Sequence, residues 1–169
     1  MYAEEVIRMN ATIPEYKQCR LADFDLQENA LVRLSRASSS QDQEELSNLS
    51  LSDSEVIRCN VAKNPYASIE TLQLLASDSK PEVRAAVAAN PRTPHPALAK
   101  LARDAESLVR LSVAQSTDTN IELLRELALD KDRDVCSAAK RTYRHVLQEI
   151  VRNQQQIPGY SNTIEKLIA

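Results

Sequence analysis

The chain repeats itself at a fixed step, and that step limits what it can fold into. Asp78, Asp104 and Asp130 are 26 residues apart, as are Val83, Val109 and Val135. The same step links Arg84 to Arg110, Val87-Ala88 to Val113-Ala114, Leu98 to Leu124, and Leu101-Ala102 to Leu127-Ala128. Backward, Asn90-Pro91 falls on Asn64-Pro65 and Leu72 and Leu75 fall on Leu46 and Leu49 at 26, while Asp78 to Asp53 is 25. Arg58, Arg33 and Arg8 follow at 25, each behind an apolar pair. Self-similarity at such a period marks a repeat architecture, each unit burying its apolar face only against its neighbours.

Each unit reads as two short helices. In PEVRAAVAAN, Val83, Ala86 and Val87 stand at i, i+3, i+4, one face of a helix. Asp78 or Ser79 is placed to cap it, Pro81 suits its first turn, and Asn90-Pro91 stops it. A second helix follows, with Thr93, Ser68 and Thr119 or Asn120 as caps and Leu98, Leu101 and Ala102 as its apolar ridge. Helix starts are expected near 80, 94, 106 and 120. The single glycine opposes an all-β fold, whose hairpins need positive φ, and leaves no phosphate-cradling loop. The expectation is an all-α solenoid of about six repeats of 25–26 residues in one domain over 1–169. Residues 1–51 are degenerate N-terminal repeats, 52–129 well-matched ones, and 130–169 a capping repeat.

The ends depart from the plan. The Ser/Gln-rich stretch 38–43 reads as a longer loop. In the last unit Cys136 stands in the arginine position and the proline stop is missing, so 134–153 is expected as one long helix. Gln154–Gly159 then breaks it, and SNTIEKLIA (161–169) reads as a returning second helix.

EVRAAVAANPRTPHPALAKLARD (82–104) resembles the leucine-rich repeat variant family: Val83-Arg84, Val87-Ala88, Asn90-Pro91, Thr93-Pro94, then leucines and Leu101-Ala102 before Asp104. The resemblance covers about 53–130 and implies a right-handed superhelix of alternating α and 3₁₀ helices and a bacterial cytosolic origin. Some relatives carry an N-terminal cysteine cluster for iron–sulfur binding, but only Cys19 lies in that region here. The Asp78/Arg84 spacing is also similar to HEAT repeats, where Asp and Arg form an internal ladder.

The remaining polar residues carry little catalytic signal. His95 reads as an exposed first-turn residue and His145 lies in a basic helix, without a nucleophile, carboxylate or cysteine at motif spacing. Cys19, Cys59 and Cys136 have no zinc or cluster spacing and read as buried thiols in a reducing cytosol. No metal, cofactor or catalytic residue is expected, and the start MYAEEVIRMN lacks the pattern of a signal peptide. The arginine column Arg33, Arg58, Arg84 and Arg110 reads in two ways. It is an internal ladder to Asp53, Asp78 and Asp104, or a stripe for phosphate groups. A second candidate is the helix face Arg141, Arg144, His145 and Arg152 with Tyr143 beside it. The first 60 residues carry net −5 and residues 130–169 net +2, so a partner is expected on this basic face. The expected function is a cytoplasmic, non-enzymatic scaffold or adaptor that binds another protein. A nucleic-acid-binding solenoid is the alternative, and head-to-tail self-association the competing use of the two ends.

Overall fold

The computed structural model describes residues 30–154. Among them there are nine helices and no strand. They are α1 (30–39), α2 (Gln43–Ser50), α3 (Glu55–Lys63), α4 (Ile69–Leu75) and α5 (Pro81–Ala88), followed by α6 (His95–Leu101), α7 (Ser107–Gln115), α8 (Ile121–Leu127) and α9 (Arg133–Gln154). Helices of seven to nine residues do not persist alone in water, so their order comes from packing. The first helices α3, α5, α7 and α9 stack in series, and each second helix lies against the first helix of its own repeat and the next. The helices start at 81, 95, 107 and 121, each one residue from the expected position.

The core is one continuous spine from Ala37 to Ala139. Leu72, Leu75, Val83, Val87, Leu98, Leu101, Val109, Val113, Leu124 and Leu127 are all buried in it, as their spacing requires. Each contributes about 1.5–3 kcal/mol on leaving water.

Four local expectations are corrected. The second helices are α-helical, not 3₁₀: Leu72 N–H bonds Ser68 carbonyl and Ala76 N–H bonds Leu72 carbonyl. Their final turns tighten to i→i−3, as where Ser77 N–H meets Leu74 carbonyl. The stretch 38–43 is a three-residue turn rather than a long loop. α1 runs to residue 39, with the Ser38 and Ser39 hydroxyls donating back to carbonyls at 34 and 35, and Asp42 caps α2 by accepting Glu44 N–H.

Thr93 does not cap α6. Its hydroxyl donates to Val87 carbonyl at the end of α5, and Thr119 does the same to Val113 carbonyl at 2.8 Å. Ser68 and Asn120 do cap, accepting from Thr71 and Leu123 N–H. Cys59 and Cys136 are half-buried rather than buried.

The long terminal helix α9 spans 22 residues. Arg8, Cys19 and the returning segment 161–169 lie outside the described residues.

Candidate functional site

Three arginines of the column, Arg58, Arg84 and Arg110, face inward onto acidic partners, whereas Arg33 is exposed. Arg84 Nε and Nη2 donate to the two carboxylate oxygens of Asp104 at 2.7 and 2.8 Å, while Nη1 donates to Asp78 carbonyl at 2.8 Å. Arg58 grips Asp78 at 2.7 and 3.0 Å and Ser52 carbonyl at 2.7 Å. Arg110 grips Asp130 at 2.7 and 3.1 Å and Asp104 carbonyl at 2.8 Å. Each arginine thus bonds its own repeat's leading backbone and the aspartate that opens the next repeat. Forked, bidentate pairing of this kind is strong and geometrically specific.

Each aspartate works twice. Asp78, Asp104 and Asp130 Oδ1 also accept the N–H two residues on, from Lys80, Glu106 and Asp132. This is an Asx turn that leads into the next first helix. It replaces the expected side-chain cap at α5, whose capping residue Lys80 makes no such bond. Bonds from Arg84 and Arg110 hold the Asp104 and Asp130 carboxyls below the ordinary carboxylate range, against burial. At Asp78 burial opposes ionisation most strongly, yet the Arg58 bonds still bring its pKa down.

The ladder ends differ from expectation. Arg33 does not pair with Asp53; its Nη2 meets Ser52 Oγ at 3.3 Å, and Asp53 is exposed. Ser52, not Asp53, lies 26 residues before Asp78, and its hydroxyl takes the Asx role by accepting Ser54 N–H. At the other end Cys136 fills the arginine position and donates its thiol to Ala128 carbonyl at 3.1 Å. Among the described residues an uncharged group, Ser52 or Cys136, thus stands at each end of the Arg–Asp series. Burial pushes the Cys59 thiol up, away from the reactive thiolate.

A second ladder was not anticipated. Asn64 and Asn90, read from the sequence only as helix stops before proline, are 2% and 3% exposed. Asn90 Nδ2 donates to Ala62 and Asn64 carbonyls of the preceding repeat at 2.7 and 2.9 Å, and its Oδ1 accepts Arg92 N–H. Asn64 does the same to Ala37 and Ser40 carbonyls and accepts Tyr66 N–H. Only a side-chain amide supplies two donors and an acceptor at this reach. The recurrence of asparagine at a step of 26 behind an apolar run was the available signal.

The C-terminal face is divided by the structure. Arg141, Arg144, His145 and Arg152 are exposed on α9, and Arg152 pairs with Glu149 on its own helix. Arg144 and half-buried Tyr143 line a groove of about 460 Å³ with Lys140, Arg125, Ala128 and Leu129. Arg141, His145 and Arg152 do not line it. His95 is the exposed first residue of α6. Among the described residues no group of His, Cys, Asp and Glu is placed to hold a metal ion, and no helix is long and apolar enough to cross a membrane.

Comparison with known proteins agrees with this architecture. Residues 81–106 match the family model of the leucine rich repeat variant. Neither curated proteins nor solved structures gave a match. The matched stretch holds Arg84, Asn90 and Asp104, the residues that join one repeat to the next. Residues 81–106 are thus similar to one leucine rich repeat variant unit, set within a helical array that the same inter-repeat bonds extend on both sides.

Proposed function

We propose that this chain is a cytoplasmic, non-enzymatic repeat scaffold that binds another protein at its C-terminal cap. The observation that carries the reading is the contrast between the two arginine sets. Arg58, Arg84 and Arg110 are consumed by aspartates and carbonyls inside the stack. Arg141, Arg144 and His145 stand exposed on the helix that breaks the repeat. A neutralised column offers no continuous cationic track for a phosphate backbone, which argues against the nucleic-acid alternative. Solenoids commonly recognise partners through surface side chains carried on a regular frame.

The test pairs partner capture with sedimentation, comparing the full chain with Arg141→Glu/Arg144→Glu. Loss of the captured protein at unchanged mass supports the reading. A fall in mass assigns the face to self-association, and unchanged capture removes it as the contact. Salt-sensitive binding of generic duplex or single-stranded DNA by the unaltered chain would restore the nucleic-acid reading.

A further inference from the structure

We propose that the groove between the end of α8 and the middle of α9 receives an acidic amphipathic helix of a partner protein. This rests on the protein-binding reading and narrows it to one seat and one ligand chemistry.

The first observation comes from the repeat. Leu129, Arg103 and Ser77 occupy one position at successive steps of 26. In the two earlier repeats that position is bridged from the following second helix. Lys100 Nζ of α6 donates to Ser77 Oγ at 2.7 Å, and Arg103 forks onto Glu126 of α8 at 2.9 and 2.8 Å. In these two repeats the end of one second helix is thus tied to a side chain of the next second helix. Beyond α8 the chain runs on as continuous α9, and no second helix follows it among the described residues. Leu129, at the equivalent position, is 87% exposed, the most exposed large apolar side chain among the described residues.

The second observation is charge. Ala128, Leu129 and the Tyr143 ring form the apolar part of the groove, and Arg125, Lys140 and Arg144 form its rim. Among the described residues no acidic side chain lines it. Lys140 and Arg144 make no ion pair among the described residues, and Arg125 reaches only Glu122 on its own helix, at 3.9 Å. The helices that fill the equivalent interior seats present apolar residues at i, i+3, i+4, as Leu98, Leu101 and Ala102 do. An occupant with that ridge, flanked by Asp or Glu, satisfies both the leucine and the three cations. The chain's own segment 161–169 carries such a ridge in Ile164, Leu167 and Ile168, but Glu165 and Lys166 cancel. It offers the cations no net charge.

The experiment titrates a labelled synthetic helix, with leucines at i, i+3, i+4 and glutamates on both flanks, into the full chain and follows fluorescence anisotropy. A scrambled peptide of the same composition and a lysine-flanked peptide serve as comparisons. The acidic helix binds, and binding weakens about tenfold or more for the scrambled peptide and for Leu129→Ser, which installs the residue found at position 77. Lys140→Glu/Arg144→Glu reverses the preference toward the lysine-flanked peptide, a gain that unfolding cannot mimic. Equal binding of the scrambled peptide, or indifference to Leu129→Ser, overturns the proposal. So does binding that appears only with Ile164→Asp/Leu167→Asp, which makes the chain's own end the occupant. A dimer that Leu129→Ser dissociates makes it a second copy. Partner capture that survives Leu129→Ser defeats the groove alone, whereas absence of any captured protein defeats the broader reading.

Discussion

Arg84 reaches forward 20 residues and closes on both oxygens of Asp104, while its remaining arm returns to the carbonyl of Asp78. One side chain thus fastens three points of two repeats. The side chains of both partners are mostly shielded, at 15% and 11% exposure, so the pair escapes much of the screening that weakens surface ion pairs. Arg84→Ala is expected to cost about 1–3 kcal/mol in urea unfolding, because a shielded carboxylate and a carbonyl lose their donors. Arg84→Lys should recover little, since an ammonium cannot fork across both oxygens. Full recovery by lysine would show that charge alone, not geometry, holds the joint.

Acid should loosen the same joints. The folded-state pKa values of Asp78, Asp104 and Asp130 lie below the ordinary carboxylate value. The unfolded chain therefore binds more protons in this range, and stability rises with pH. The contribution is fully present above the unfolded aspartate pKa of about 3.9 and is lost as pH falls through the lower folded values. Urea midpoints measured from pH 6 downward should drop steeply below about pH 4. Asp104→Asn should flatten part of that slope; an unchanged slope would place the acid sensitivity elsewhere.

The asparagine ladder makes a prediction in both directions. Asn90→Ala strips two buried carbonyls of their donors and should cost about 1–3 kcal/mol. Asn90→Asp should be at least as damaging, since it presents an acceptor to acceptors. Ser116 occupies the same position one repeat later, with φ −74° and ψ 128° close to the −70° and 126° of Asn64. Ser116→Asn is therefore expected to stabilise by about 0.5–1.5 kcal/mol, read as a higher denaturant midpoint.

Leu101 is 1% exposed on the ridge of α6. Leu101→Ala should cost about 2–5 kcal/mol through lost burial and the cavity left behind. Because each repeat is held by its neighbours, native-state hydrogen exchange should rise in α5 through α8 together, rather than in α6 alone. Exchange confined to α6 would mean that the repeats behave as separate units.

How much of this was legible depends on range. The 26-residue step and the i, i+3, i+4 ridges located the helices and their buried faces, because a short helix has one way to hide its leucines and a repeat has one way to hide its helices. The length of α9 was legible for the same reason: nothing in DVCSAAKRTYRHVLQEIVRN stops a helix. The arginine column was legible as a column, but not its pairing register. That an Arg binds the aspartate opening the next repeat, and that Ser52 rather than Asp53 receives Arg33, follows from how two repeats are offset in space. Asn90 showed the same limit. In sequence it stops a helix before proline, and in the fold it bonds carbonyls 26 and 28 residues back. The exposure of Leu129 was not legible at all, because it depends on which elements lie beside the end of α8 in space. Period and polarity act along the chain and determine which face of each helix is buried. Partners at a distance of one repeat are chosen by the superposition of repeats, and only the tertiary structure expresses that.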